Sequence, residues 1–301
     1  MDGGYDAGMP AAATTSPRIA IVGPGAVGGL LAALLHRDGA DVVVVAREAS
    51  ARLIATFGIT VESAQYGRWT SDVPAVPAIP DGAHVILTTK AYAVPGVTPA
   101  LSAARPAVIL SLLNGVDHVT ELRRAAPGLS VIGAAIAVEA ARRSATVIEH
   151  RSPFARITVP DAVVESPLVR ALARAGIEVA GGGSEAEVLW RKLRFLAPFA
   201  VLTTRTQTGI GEALAADPAL ATSLLDEVAA VTTAEGLPTT GDVLRGILDG
   251  MPGSMRSSLQ ADVAAGGPTE LDAIAGAVER AAAAHGIPTP TLTSLIAELT
   301  S

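Results

Sequence analysis

Of the 22 basic residues in this 301-residue chain, only Lys90 and Lys192 are lysines, and Asn114 is its only asparagine. Arginine replaces lysine freely on a surface, because both cations are well solvated. It does not replace lysine where a side chain must release a proton, since a guanidinium stays charged at any pH a protein survives. Lys90 and Lys192 are therefore candidates for proton transfer or for stabilising a developing negative charge. Acids and hydroxyls that could work beside them gather late in the chain, where Ser257, Ser258, Asp262, Glu270 and Asp272 surround a Gly-Gly-Pro break. Thr269 and Glu270 stand at a helix start, a place where the helix dipole alone favours a carboxylate. The histidines (His36, His84, His118, His150 and His285) are far apart and lack ligand spacing, so structural roles are expected and no metal site is. The absence of cysteine excludes disulfides, thiolate nucleophiles and cysteine-ligated metals.

A second kind of chemistry is written in "RIAIVGPGAVGGLLAALLHRDGADVVVVAR", from Arg18 to Arg47. An apolar strand, a turn through Gly23, Gly25 and Gly28, a leucine-rich helix and a second apolar strand follow one another. This is G-x-G-x-x-G in its required setting, inside a βαβ unit, and it predicts a dinucleotide site. Gly23 permits the tight turn, Gly25 lets backbone approach a pyrophosphate, and Gly28 brings helix and strand close. Ala26 and Val27 open the helix, whose free N–H groups and positive dipole end suit phosphate. The residue closing the second strand selects the cofactor: an acid holds the 2′-hydroxyl of NAD, a base accommodates the 2′-phosphate of NADP. Here it is Arg47, with Arg52 nearby, which favours NADP; the adjacent Glu48 points the other way, and a solvated loop cation is the alternative reading of Arg47.

The elements that must position these groups are those of an α/β protein. Half the residues are hydrophobic and only 3% aromatic, so the core is built from Ala, Val, Leu and Ile. "AHVILTTKAYAV", "PAVILSLLNGV" and "SVIGAAIAV" continue an open parallel sheet, placing Lys90 and Asn114 at the carboxyl ends of strands, where such sheets bind ligands. Asn114 also precedes Gly115, a turn signal, and both roles are compatible. "ATVIEHR", "ARITVP" and "GIEVAG" read as short strands expected to finish the sheet antiparallel. "GGGSEAEVLW" then marks a boundary, with Ser184 and Glu187 forming a capping-box signature. Beyond it the periodicity is helical. Lys192, Leu196 and Ala200 share one face of the first helix, and Pro198 is expected to kink or end it. The expected organisation is a disordered tail over 1–16, a Rossmann-type doubly wound sheet over 17–182, and an all-helical domain over 183–301.

Taken in order, "GPGAVGG", "TTKAYAV", "LLNGVDH", "LWRKL", "DEVAAV" and "SSLQADVAAGGPTELDAIAG" resemble the ketopantoate reductase (2-dehydropantoate 2-reductase) family over nearly the whole chain from Arg18. The resemblance implies NADPH-dependent reduction of a 2-keto acid, ketopantoate foremost, in pantothenate biosynthesis. It further implies that Arg47 holds the 2′-phosphate and that Lys90 and Asn114 line the cofactor and substrate side of the cleft. Lys192 would be the catalytic lysine, Glu270 its acidic companion, Ser258 a substrate-carboxylate contact and Glu227 a further glutamate of the site. The same pattern usually carries asparagines four and eight residues after the lysine; here Leu196 and Ala200 stand there. A more apolar keto acid is therefore an alternative substrate. Other rivals are an NAD-linked hydroxyacid dehydrogenase and a non-catalytic NADP sensor.

A net charge of −7, with no basic stripe, argues against a nucleic-acid partner. No apolar run is long enough for a membrane span, and the start lacks signal-peptide features, so a cytoplasmic protein, possibly a homodimer, is expected. One outcome separates a proton donor from a mere positive charge. Lys192→Arg should bind NADPH normally in a fluorescence titration yet lose about 100-fold or more in turnover; near-normal turnover would show that charge alone suffices.

Overall fold

The computed structural model describes residues 17–300; the tail expected over 1–16 lies outside the described residues. The chain opens with β1 (Ile19–Val22), α1 (Ala26–Arg37), β2 (Val42–Val45) and α2 (Glu48–Phe57). A hairpin of β3 (Ile59–Ser63) and β4 (Gly67–Ser71) follows, then β5 (Ala75–Val76), β6 (His84–Leu87), α3 (Val94–Ala104), β7 (Val108–Ser111), α4 (Asp117–Ala125) and β8 (Val131–Gly133). Six of these strands form a wholly parallel sheet in the order β5-β2-β1-β6-β7-β8. The order reverses between β1 and β6, the switch point outside which such sheets bind nucleotides.

Both faces of this sheet are covered, which is why its strands are continuous apolar runs. Ile19 and Ile21 of β1 pack on one side with the leucines of α1, while Ala20 and Val22 pack on the other with Leu101 of α3 and Leu122 of α4. The later strands behave differently. They are β9 (Ala135–Ala137), β10 (Ala140–Arg142), β11 (Val147–His150) and β12 (Arg156–Val159), with α5 (Pro167–Arg174) leading to β13 (Glu178–Gly181). The expectation that they finish the main sheet is corrected: they join two further sheets, β10-β11-β3-β4 and β13-β12-β9. Nor is their pairing uniformly antiparallel, since β11 runs parallel to β3 and β12 parallel to β13. The physical reason lies in their pattern. Ile148 and His150 are buried while Val147 and Glu149 are not, the alternation of a strand covered on one face only.

From residue 185 onward the structure is helical: α6 (Glu185–Thr206), α7 (Ile210–Ala216), α8 (Pro218–Ala234), α9 (Gly241–Asp249), α10 (Ser258–Ala264), a π-turn over Asp272–Gly276, α11 (Ala277–His285) and α12 (Pro290–Thr300). These surround a core of their own built on α6. The capping box forms as the sequence predicts, Glu187 N–H donating to Ser184 Oγ at 3.3 Å and Ser184 N–H to Glu187 Oε2 at 2.7 Å. Pro198, however, does not end the helix, which runs on to Thr206. Ala197, Pro198, Phe199 and Ala200 are all buried, so packing by the surrounding helices outweighs the one backbone hydrogen bond a proline forfeits. Ser184→Ala should cost about 1 kcal/mol of stability in urea unfolding, the usual worth of an N-cap; an unchanged midpoint would mean α6 is set by packing alone.

Candidate active site

The glycine turn leaves β1 at Gly23, whose φ of +92° is open to glycine and strained for other residues. A methyl group on Gly28 would lie 2.4 Å from the Gly23 carbonyl and from Thr88 Oγ1, so α1 can start this close to the strands only with glycine there. Thr88, just past β6, locks the turn by donating to the Gly23 carbonyl at 2.8 Å. Gly25 is different: nothing lies within 4 Å of where its side chain would be, and it caps α1 with no side-chain bond. The first N–H groups of α1, at Ala26 and Val27, are thus left to face a bare backbone surface. Open space at Gly25 and unpaired N–H groups at a helix start are what a pyrophosphate would need there. Arg47, exposed at the end of β2, makes no ion pair among the described residues, whereas Glu48 is held by Arg52.

Five polar side chains from both halves of the chain form one connected group. Lys192, on α6, donates from Nζ to Oδ1 of Asn114 at 2.8 Å. Asn114 passes the connection on, its Nδ2 donating to Glu270 Oε2 at 3.2 Å. Glu270 is only 4% exposed and also accepts from Lys90 Nζ at 3.1 Å and from the backbone N–H of Ala91, through Oε1, at 3.1 Å. Lys90 completes the group by donating to Asp262 Oδ2 at 2.7 Å. Each position has a local cause. Lys90 follows β6 and caps a short 3-10 turn, Asn114 ends the turn after β7, and Glu270 stands just before the π-turn. Gly115, at φ +84°, lets that turn approach so closely that a methyl group there would lie 2.1 Å from the Ala273 carbonyl. The Asn-Gly pair is therefore both a turn and a contact between the two halves.

Burial gives Lys192 its chemistry. Loss of solvent pulls its pKa down to about 8, and the nearby charge of Glu270 opposes the fall without cancelling it. Burial acts on Lys90 in the same direction, but there the carboxylates of Glu270 and Asp262 outweigh it and the pKa is raised. Two lysines in one cluster are thus pushed apart. Lys192 is left with its pKa lowered and Lys90 with its pKa raised.

The remaining expected residues divide. Ser258 is exposed as the first residue of α10, one turn before Asp262 on the same face. Its neighbour Ser257 is buried and structural, capping α10 through Gln260 N–H and accepting a bond from Thr203 Oγ1 at 2.9 Å. Glu227 is not brought to the group. Its two carboxylate oxygens accept from the backbone N–H groups of Thr291 and Leu292, at 2.8 and 2.9 Å, so it caps α12 from α8. The amides it serves are among the first of α12, which opens on Pro290 and has no carbonyl of its own to receive them. Leu196 is half-buried and Ala200 fully buried along the Lys192 face of α6.

His118, for which a structural role was expected, is 3% exposed with both ring nitrogens unpartnered among the described residues. Burial, and secondarily the charge of Lys192, push its pKa down to about 4, so it presents a neutral imidazole near that lysine. The signal was its place in "NGVDH", on the first turn of α4. Among the described residues no cluster of three or more His, Cys, Asp or Glu is arranged to hold a metal ion.

A lysine of lowered pKa and a glycine turn of the dinucleotide-binding kind in one chain are the equipment an oxidoreductase needs, since it must pair hydride transfer with proton transfer. Comparison with known proteins agrees. Residues 19–164 match the family described as Ketopantoate reductase PanE/ApbA, and residues 186–301 match Ketopantoate reductase PanE/ApbA C terminal. The chain is 31% identical to the 2-dehydropantoate 2-reductase of Caulobacter vibrioides, over 93% of this chain and 97% of that protein. It is 28% identical to the "Uncharacterized oxidoreductase YkpB" of Bacillus subtilis, over 93% and 96%. The crystal structure of a PanE/ApbA family ketopantoate reductase from Ralstonia eutropha JMP134 superposes with a TM-score of 0.83 at 28% identity, covering 94% of this chain and 97% of that one. This chain belongs to the ketopantoate reductase family, whose members are oxidoreductases acting on CH–OH groups.

If Glu227 serves α12, Glu227→Gln should lower stability by about 1 kcal/mol while leaving KM for a keto acid unchanged. A KM raised tenfold at unchanged stability would return Glu227 to the substrate.

Proposed function

We propose that this protein reduces a 2-keto acid to the 2-hydroxy acid with NADPH, with ketopantoate of pantothenate biosynthesis as the leading substrate and Lys192 as general acid. The observation that carries the reading is the connected group at the carboxyl ends of β6 and β7, with a lysine of lowered pKa at one end, in a sheet whose first strand leads into the glycine turn. NADPH, when bound, supplies the hydride. Gly23, Gly25, Ala26, Val27 and Gly28 would hold its pyrophosphate, and Arg47, free of an acidic partner among the described residues, would take the 2′-phosphate and so favour NADP over NAD. Lys90 and Asn114 would line the cofactor and substrate side of the cleft.

The chain's own residues do the rest. Asn114 Oδ1 orients the Lys192 ammonium, and Glu270 keeps it charged in a place that burial would otherwise neutralise. A carbonyl oxygen near Nζ would meet both a positive charge and a proton as it becomes an alkoxide. Ser258, exposed on the cleft side of α10, offers a hydroxyl to the substrate carboxylate. Asn114 Nδ2 gives one of its two N–H groups to Glu270, which leaves the second to donate to substrate. Leu196 and Ala200 favour a second reading, in which the substrate is a more apolar 2-keto acid. Neither can bond a substrate hydroxyl, and leaving one buried and unpaired would cost about 1–3 kcal/mol.

The test is NADPH oxidation with ketopantoate, alongside NADH and a panel of aliphatic and aryl 2-keto acids. NADPH-selective turnover of ketopantoate is expected; faster turnover of an apolar acid would establish the second reading, and no turnover on any would defeat both. The pH profile carries its own sign. The ammonium form of Lys192 is the donor, so kcat/KM for reduction should hold on the acid side and fall as pH rises through about 8. A profile flat to pH 10 would remove Lys192 as the acid.

A further inference from the structure

Two carboxylates meet the ammonium of Lys90: Oδ2 of Asp262 at 2.7 Å and Oε2 of Glu270 at 3.1 Å. The same Glu270 oxygen accepts from Asn114, the residue that holds Lys192. The two lysines therefore draw on one carboxylate, Lys90 directly and Lys192 through a neutral amide. Without Asp262 the group would hold two cations against one anion. The helix carrying Asp262 is fixed for this contact. Ser257 caps it and is bonded to Thr203 of α6, so α10 is anchored to the helix that bears Lys192.

We propose that Asp262 is a positioning residue of the reaction: as the counter-ion of Lys90 it leaves the charge of Glu270 to act on Lys192 through Asn114. Its part in turnover rests on the reading of Lys192 as the acid, while the charge arrangement itself does not. The groups around Lys192 are few enough to name. Glu270 faces it from the segment before the π-turn, with Lys90 and Asp262 beyond, and His118 of α4 is neutral. Four further carboxylates near α6 have partners of their own. Glu227 serves the amides of α12, Asp117 and Asp272 pair with Arg280, and Glu185 pairs with Arg123.

Having only two lysines makes the test direct. With lysine labelled by 13C at Cε, each ammonium gives its own NMR titration in the substrate-free protein. Asp262→Asn should lower the midpoint of Lys192 by roughly half to one pH unit, as expected for losing one charge at second-neighbour distance, and Asp262→Glu should restore most of it. A fall at Lys90 alone, with Lys192 unmoved, overturns the proposal. Lys90→Gln gives the reading a second route should Asp262→Asn not fold. Removing the competing cation should raise the Lys192 midpoint by a similar amount, and no rise overturns it. In the Lys90→Gln background, adding Asp262→Asn should shift Lys192 by less than half as much; an undiminished shift would mean Asp262 acts without Lys90 and also overturns it. Kinetically, the basic limb of kcat/KM should move to lower pH with Asp262→Asn by the same interval. The expected NMR shifts without turnover on any keto acid would support the counter-ion role while defeating the reductase reading.

Discussion

A single buried carboxylate holds the site together. Glu270 accepts from Lys90, from the backbone of Ala91 and from Asn114, all in the sheet-containing half, although it belongs to the helical half. A carboxylate this deeply buried is tolerable only when its oxygens are satisfied, and removing one partner of such a group typically costs several kcal/mol. The constraint runs outward from there. The turn after β7 must come close enough to donate, which requires Gly115 against Ala273. The loop after β6 must present a main-chain N–H, which the 3-10 turn beginning at Ala91 provides. Lys192 then needs only Asn114 to be joined to both.

The parts of this arrangement that sequence alone reveals are those with local causes. The glycine turn is readable because each glycine answers to a steric condition, and the six-stranded sheet because strands buried on both faces are unbroken apolar runs. The capping box at Ser184 and Glu187 is readable because both partners lie within one helical turn. The lysines stand out through the chain's own preference for arginine.

What escapes is set by distance in three dimensions. β3 and β4 hide because they pair with β11 and with each other, outside the main sheet. Glu227 was read through its resemblance to a family motif, and nothing near it in sequence announces that it caps a helix more than sixty residues later. His118 is an ordinary polar residue in an amphipathic segment until the fold places it near the Lys192 ammonium, and Asp262, visible as one acid among several, gains its partner Lys90 only in the fold. Pro198 shows the converse, a strong local signal overruled by tertiary packing.

The cluster is also electrically balanced, with two ammonium groups set against two carboxylates. A balanced group has a short-ranged field, so it does little to draw anions from solution in a chain of net charge −7. Outside the cluster stand two positive features with no carboxylate partner among the described residues, the exposed guanidinium of Arg47 and the amide-lined start of α1. The chain thus carries two separate charge systems, one uncompensated, open to solvent and sensitive to salt, the other neutralised from within although Lys90 and Asp262 are themselves part-exposed.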